Sequence, residues 1–205
     1  MIKKVGIINY GVGNLMSITK AIEFLGLYPK IITKKVQADM IILPGVGSFG
    51  YAINYMKKTG LYEEIINFIN SGNPVLGICL GLQILFKNSE EEPTVSGLGV
   101  LDGKVVKFEG KKLPVPHMCW NLVEFKNKNH ILLEGLNKKE FFYFVHSYYP
   151  IPKDKSIIFG ETFYFEKFCS MILKDNIVAT QFHLEKSGEI GLKLLKNIVN
   201  YFNRN

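Results

Sequence analysis

The chain predicts an α/β fold: a central, mostly parallel sheet flanked by helices, with additional antiparallel strands in the second half. Three observations carry that reading. Short apolar runs alternate with stretches of helical period up to Ser89. The early strands end on glycine-rich turns. Beyond Leu98 the texture changes to aromatic and β-branched runs broken by short polar turns.

Taken in order, residues 5–9 form a buried-strand run. The turn at 10–13 follows, and a helix opens at Asn14 with Leu15, Ile18, Ile22 and Leu25 at helical spacing. Residues 30–33 and 40–43 read as strands, 51–58 and 61–71 as helices. Pro74-Val75-Leu76 is the strand leading to Cys79, and 82–86 continues as a helical segment. Parallel sheets place their sites at the carboxyl ends of strands, and Cys79 falls at one. Residues 105–108, 122–125, 141–145, 157–159 and 170–173 read as hairpin-like strands, 176–179 as a short strand and 189–202 as a closing helix. The acidic stretch 89–93 reads as an exposed connection. No repeat or boundary interrupts this pattern, so residues 1–205 are expected to form a single domain.

Hydrophobic residues make up 47% of the chain, enough for a sizeable core, and no apolar run approaches a membrane span. The apolar part of residues 1–8 is too short for a signal peptide. Three cysteines without metal-ligand spacing point to a reducing compartment, so a cytoplasmic location is expected, with no metal and no cofactor. The net charge of +7 invites a nucleic-acid reading, but every basic residue except Arg204 is lysine. Base-edge and phosphate recognition lean on arginine's planar fork, and these lysines are scattered in pairs. They read as a solvated surface.

The chemistry sits in Gly77-Ile78-Cys79-Leu80-Gly81. A nucleophile on a sharp strand-to-helix turn needs glycine two residues before and after it, where side chains would collide. A cysteine opening a helix also gains from unpaired N–H groups that favour the thiolate. Far along the chain lies Gln181-Phe182-His183-Leu184-Glu185, read as the continuation of a strand, where residues two apart share a face. Glu185 can then orient His183, and His183 can take the proton of Cys79.

Two glycine-rich turns invite other roles. Gly11-Val12-Gly13 lacks the third glycine of a dinucleotide fingerprint, since Met16 stands there, and Lys34-Lys35 stands where an acid is expected. Pro44-Gly45-Val46-Gly47 lacks the close of a phosphate loop. It can instead offer the Val46 N–H, with that of Leu80, as an oxyanion hole.

These segments together resemble the class I glutamine amidotransferases, and in detail their subunits that feed ammonia to a cyclase of histidine synthesis. The resemblance spans nearly the whole chain. It rests on Asn9-Tyr10-Gly11-Val12-Gly13-Asn14, on the turns at Gly45 and Cys79, and on Pro116-His117-Met118, Trp120-Asn121, Phe144-Val145-His146-Ser147-Tyr148 and Gln181 to Ser187. It implies a flavodoxin-like fold and a Cys79–His183–Glu185 triad acting on glutamine. It further implies glutamine contacts from Gly47, Gln83, Ser147 and Tyr148, and a (β/α)₈ cyclase partner facing Asn14, Met118, Trp120 and Asn121. His117 is expected by the partner, His146 as a hydrogen-bonded structural histidine and His130 in a loop. Two positions depart from the family pattern: Cys119 where glycine is usual, and Leu184 where proline is usual. Three alternatives stand beside this reading. They are a paralogue supplying ammonia for acetamidino sugars, a silent partner-binding module, and a cysteine hydrolase of another amide.

Overall fold

The computed structural model describes residues 1–11, 15–45, 47–109 and 113–204. The first half alternates as expected: β1 (Lys4–Ile8), α1 (Met16–Phe24), β2 (Tyr28–Ile32), β3 (Met40–Leu43), α2 (Phe49–Thr59), α3 (Leu61–Asn70), β4 (Val75–Ile78) and α4 (Leu80–Gln83). Then come β5 (Phe86–Ser89), β6 (Leu101–Lys107), β7 (His117–Phe125), β8 (Lys139–His146), β9 (Tyr148–Pro152), β10 (Ile158–Phe163), β11 (Lys167–Lys174), β12 (Ile177–Thr180) and the closing α5 (Gly188–Arg204). Short 3₁₀ turns occupy Ile131–Leu133, Lys155–Ile157 and Leu184–Lys186.

The main sheet has nine strands in the order β2-β1-β3-β4-β12-β11-β10-β7-β8. Its β2-to-β12 half is parallel, and its β12-to-β8 half is antiparallel. Strands β3, β4 and β12 are buried at every residue, as strands covered on both faces must be. Alternate residues feed two cores. Ile42, Leu76 and Val178 meet Ile22, Leu195 and Ile198 of α1 and α5, while Ile41, Val75 and Ala179 meet Ile53 and Ile65 of α2 and α3. Among the described residues no helix is long and apolar enough to cross a membrane.

The sequence-based expectations fail at three places. Residues 82–86 do not continue as a helix, because α4 ends at Gln83 and Phe86 opens β5. Strands β5, β6 and β9 form a separate three-stranded sheet, in which β5 and β6 are parallel. Residues 89–93 are not simply an exposed connection: Ser89 is buried and Glu91 half-buried.

The C-terminal strand β12 inserts between β4 and β11. The backbone N–H of Cys79 donates to Thr180 O at 2.7 Å, so the last strand also holds the residue that follows β4.

Candidate active site

Cys79 leaves β4 with φ 50° and ψ −102°, a left-handed conformation that side chains other than glycine rarely adopt. Such backbone costs about 1–3 kcal/mol and persists only where the surroundings enforce it. The flanking glycines show the enforcement. A Cβ on Gly81 would lie 1.9 Å from Leu43 O, and one on Gly77 would lie 2.9 Å from Gly81 O. The turn is therefore closed to larger residues on both sides. Because α4 spans four residues, its dipole is short, and the expected help from a helix terminus reduces to individual N–H groups. Leu80, the first helical residue, lines the cavity.

His183 and Glu185 do not sit on a strand. Strand β12 stops at Thr180, and His183 caps the 3₁₀ turn Leu184–Lys186. That turn, rather than strand alternation, brings Glu185 Oε1 to 2.7 Å from His183 Nδ1. Ser187 ties the turn down, donating to His183 O at 2.6 Å and accepting from Tyr143 N at 3.0 Å. Tyr143 O in turn accepts from His183 N at 3.0 Å. Leu184, standing in the proline position of the resemblance, is fully buried, and the His–Glu register holds without the ring.

His183 Nε2 and Glu185 Oε2 are the buried side-chain polar atoms left without a hydrogen bond among the described residues. The His183 ring interacts with the Cys79 side chain. Burial pulls His183 toward neutrality, but the adjacent Cys79 and the Glu185 carboxylate outweigh it and hold its pKa up at about 10. The imidazole is thus poised as a proton donor. The sulfur is further placed by Gln181 Nε2, 3.5 Å away, and by Val145 O, 3.7 Å away. Gly45 packs against both partners: a Cβ there would come within 2.9 Å of Cys79 Cβ and of His183 Cε1.

A cavity of about 320 Å³ opens over the sulfur, lined by Gly45, Gly47, Leu80, Gln83, Glu91, Val145, Ser147 and Tyr148 among others. Gln83 is anchored by donating to Tyr148 O at 2.8 Å. The arrangement is a buried cysteine sulfur with a protonated histidine, at a cavity sized for a small substrate and carrying the polar side chains of Gln83, Glu91, Ser147 and Tyr148. It suits acyl transfer from a small amide.

A family model described as glutamine amidotransferase class-I matches residues 7–200. The chain belongs to this family. A 48% identical relative from Methanocaldococcus jannaschii, matching 95% of this chain and 98% of its own length, is named imidazole glycerol phosphate synthase subunit HisH. Relatives of the same name from Aquifex aeolicus (46% identical, 93% of each chain) and Syntrophotalea carbinolica (42%, 93% of this chain and 97% of the relative) align as fully. The fold is shared with PurLQS from Thermotoga maritima (TM-score 0.78, 20% identity, 98% of this chain and 99% of that one). It is also shared with a glutamine amidotransferase from the same organism (TM-score 0.74, 15% identity, each chain fully covered).

Within this class-I amidotransferase the structure gathers Cys79, His183, Glu185, Leu80, Gly47, Gln83, Ser147 and Tyr148 at one end of the parallel strands. Val46 and Asn14 lie outside the described residues. Met118 and Trp120 are more than half exposed on β7 and Asn121 is partly exposed, so Trp120 is no core residue. Its ring meets Tyr143, with centroids 6.2 Å apart. His117, expected by the partner surface, is instead fully buried and bonded to His146. His146 is buried and hydrogen-bonded, as expected. His130 caps the turn Ile131–Leu133, accepting from Leu132 N at 3.2 Å.

Sequence reasoning missed two residues at the site. Glu91 lines the cavity and its Oε2 accepts from Phe49 N at 3.0 Å, joining the pocket to the first turn of α2. Only its place in an acidic run marked it. Tyr10, fully buried, donates its hydroxyl to Pro44 O at the start of the glycine-rich turn. An aromatic residue at a strand end gives no such signal.

Proposed function

We propose that this chain is the HisH-type glutaminase subunit of an imidazole glycerol phosphate synthase, releasing ammonia from glutamine for a cyclase partner. The observation that carries the reading is the strained Cys79 turn beneath a small cavity, with His183 and Glu185 beside it. The shared name of the M. jannaschii, A. aeolicus and S. carbinolica relatives favours the histidine pathway over amidino-sugar synthesis.

In this mechanism the sulfur of Cys79, its proton held on His183, attacks the side-chain carboxamide carbon of glutamine. The oxygen takes the negative charge and is met by the Leu80 N–H, with Val46 supplying the second donor. His183 gives its proton to the leaving nitrogen, the C–N bond breaks, and ammonia departs from a γ-glutamyl thioester. Water then attacks the thioester, His183 takes its proton, glutamate leaves, and the sulfur is restored beside the protonated imidazole. Glu185 keeps the imidazole in register throughout. Gln83, Ser147, Tyr148 and Gly47 hold the substrate. Glu91 supplies a carboxylate suited to the α-ammonium group. Ammonia passes to a (β/α)₈ cyclase seated on the face bearing Met118, Trp120 and Asn121, with Trp120 as the anchor.

The test is glutamate release from glutamine, with and without the cyclase. Turnover is expected to be low alone and strongly raised by the partner, and Cys79→Ala is expected to lower it by at least about 10⁴-fold. Partner-stimulated turnover that survives Cys79→Ala would end this reading.

A further inference from the structure

Two buried histidines take no part in that chemistry. His117 opens β7 and His146 closes β8, and the two residues are paired across the strands. The groups at the ends of the pair fix every proton in it. The Tyr148 carbonyl can only accept, so His146 Nδ1, 2.8 Å away, carries a proton and donates it. The neutral ring then offers Nε2 as an acceptor, and His117 Nδ1 donates to it at 3.0 Å. His117 Nε2 is left to accept from the Asn121 amide at 3.1 Å. That amide is oriented by its own bonds. Its oxygen accepts from Leu122 N at 2.7 Å, and its nitrogen also donates to Phe163 O at 3.0 Å.

All donors thus point one way, from partly exposed Asn121 inward to Tyr148. The Tyr148 carbonyl also accepts from Gln83 Nε2, and Gln83 and Tyr148 line the cavity over Cys79. Aromatic rings wall the pair: His117 stacks on Phe144 and Tyr164, and His146 lies against Phe108 and Phe168. Burial among them pulls His117 down to about 4 and His146 to about 3, so both rings stay neutral. Apolar side chains would fill this space without burying four ring nitrogens, so the polar pair suggests a role beyond packing.

We propose that His117 and His146 are positioning residues, a one-directional chain of hydrogen bonds that sets the Tyr148 carbonyl and Gln83 from Asn121. The proposal rests on the reading of this cavity as a glutamine site. A ring inverted at any link places two N–H groups or two lone pairs face to face, so the links change together. Asn121 shares β7 with exposed Met118 and Trp120, and a partner seated there meets the first link.

Imidazole ¹⁵N spectra of the labelled chain test this without any turnover, so they stay informative even if the glutaminase reading fails. The expected result is a proton on Nδ1 and a bare Nε2 in both His117 and His146 at pH 7. A proton on Nε2 of either ring, or a charged ring, would overturn the proposal, and this readout stands even if no variant folds. Asn121→Asp removes the donor and asks His117 Nε2 for a proton instead. It is expected to change the signatures of both rings. With saturating partner, KM for glutamine should rise about tenfold while kcat stays within about twofold. A change at His117 alone, with His146 and KM unmoved, would reduce the pair to packing.

Discussion

His183 interacts with Cys79 and His146 lines the cavity above it, and both are nearly or fully buried, yet the protein holds them in opposite states. His146 faces carbonyl and imidazole partners inside an aromatic wall, and burial decides its charge. His183 is buried as deeply, but Cys79 and Glu185 reverse the outcome. The contrast teaches that depth alone does not set an active-site proton. One facing carboxylate and one facing sulfur separate an acid from a positioning group built of the same side chain.

Replacing Glu185 with Gln attacks that contrast most directly. It removes the charge while sparing the shape, and kcat for partner-stimulated glutamate release should fall by about 10³–10⁴-fold. The His183 pKa, followed by NMR, should move down toward that of His146. A variant that keeps both its activity and its high His183 pKa would show that Cys79 alone sustains the charge.

The two histidine groups should also act on opposite flanks of a pH–stability profile. His117 and His146 have folded pKa values of about 4 and 3, below the unfolded value of about 6.5. Their contribution is present above pH 6.5 and is lost as pH falls toward those values, by roughly 2–4 kcal/mol between pH 7 and 5. For His183 the folded value of about 10 lies above the unfolded one. Its contribution is present below pH 6.5 and lost as pH rises through about 10. Denaturant titrations across pH 5–10 measure both arms, and a flat acid arm would contradict the neutral pair. The smallest expected effect belongs to Ser187→Ala. It removes the hydroxyl bridging His183 O and Tyr143 N, and should lower kcat several-fold, by about 1 kcal/mol, with KM nearly unchanged.

Much of this site is legible in the sequence because the constraint is local. Gly77 and Gly81 flank Cys79 for a steric reason that any homologous turn would share, and the apolar runs at 40–43 and 75–78 announce doubly covered strands. What escapes is set by residues far apart. The spacing of His183 and Glu185 announces a pair but not the 3₁₀ turn that forms it. The apolar run through Phe86 has helical composition, yet pairing with β6 makes its end a strand. Tyr148–Pro152 carries two prolines and still forms β9, an edge of the small sheet, where missing N–H groups cost little. Glu91 meets Phe49 across 42 residues, and His117 meets His146 across 29, so neither contact is announced by local spacing.

The insertion of β12 between β4 and β11 bears on how the chain is made. A nascent chain emerges amino end first. Until Ile177 to Thr180 arrives, β4 is paired with β3 alone, its other edge is open to other chains, and Cys79 lacks the carbonyl that holds its N–H. A product truncated before β12 is therefore a sticky, inert fragment rather than a leaky amidase, and the reactive thiol is armed only once residues 177–185 have been made.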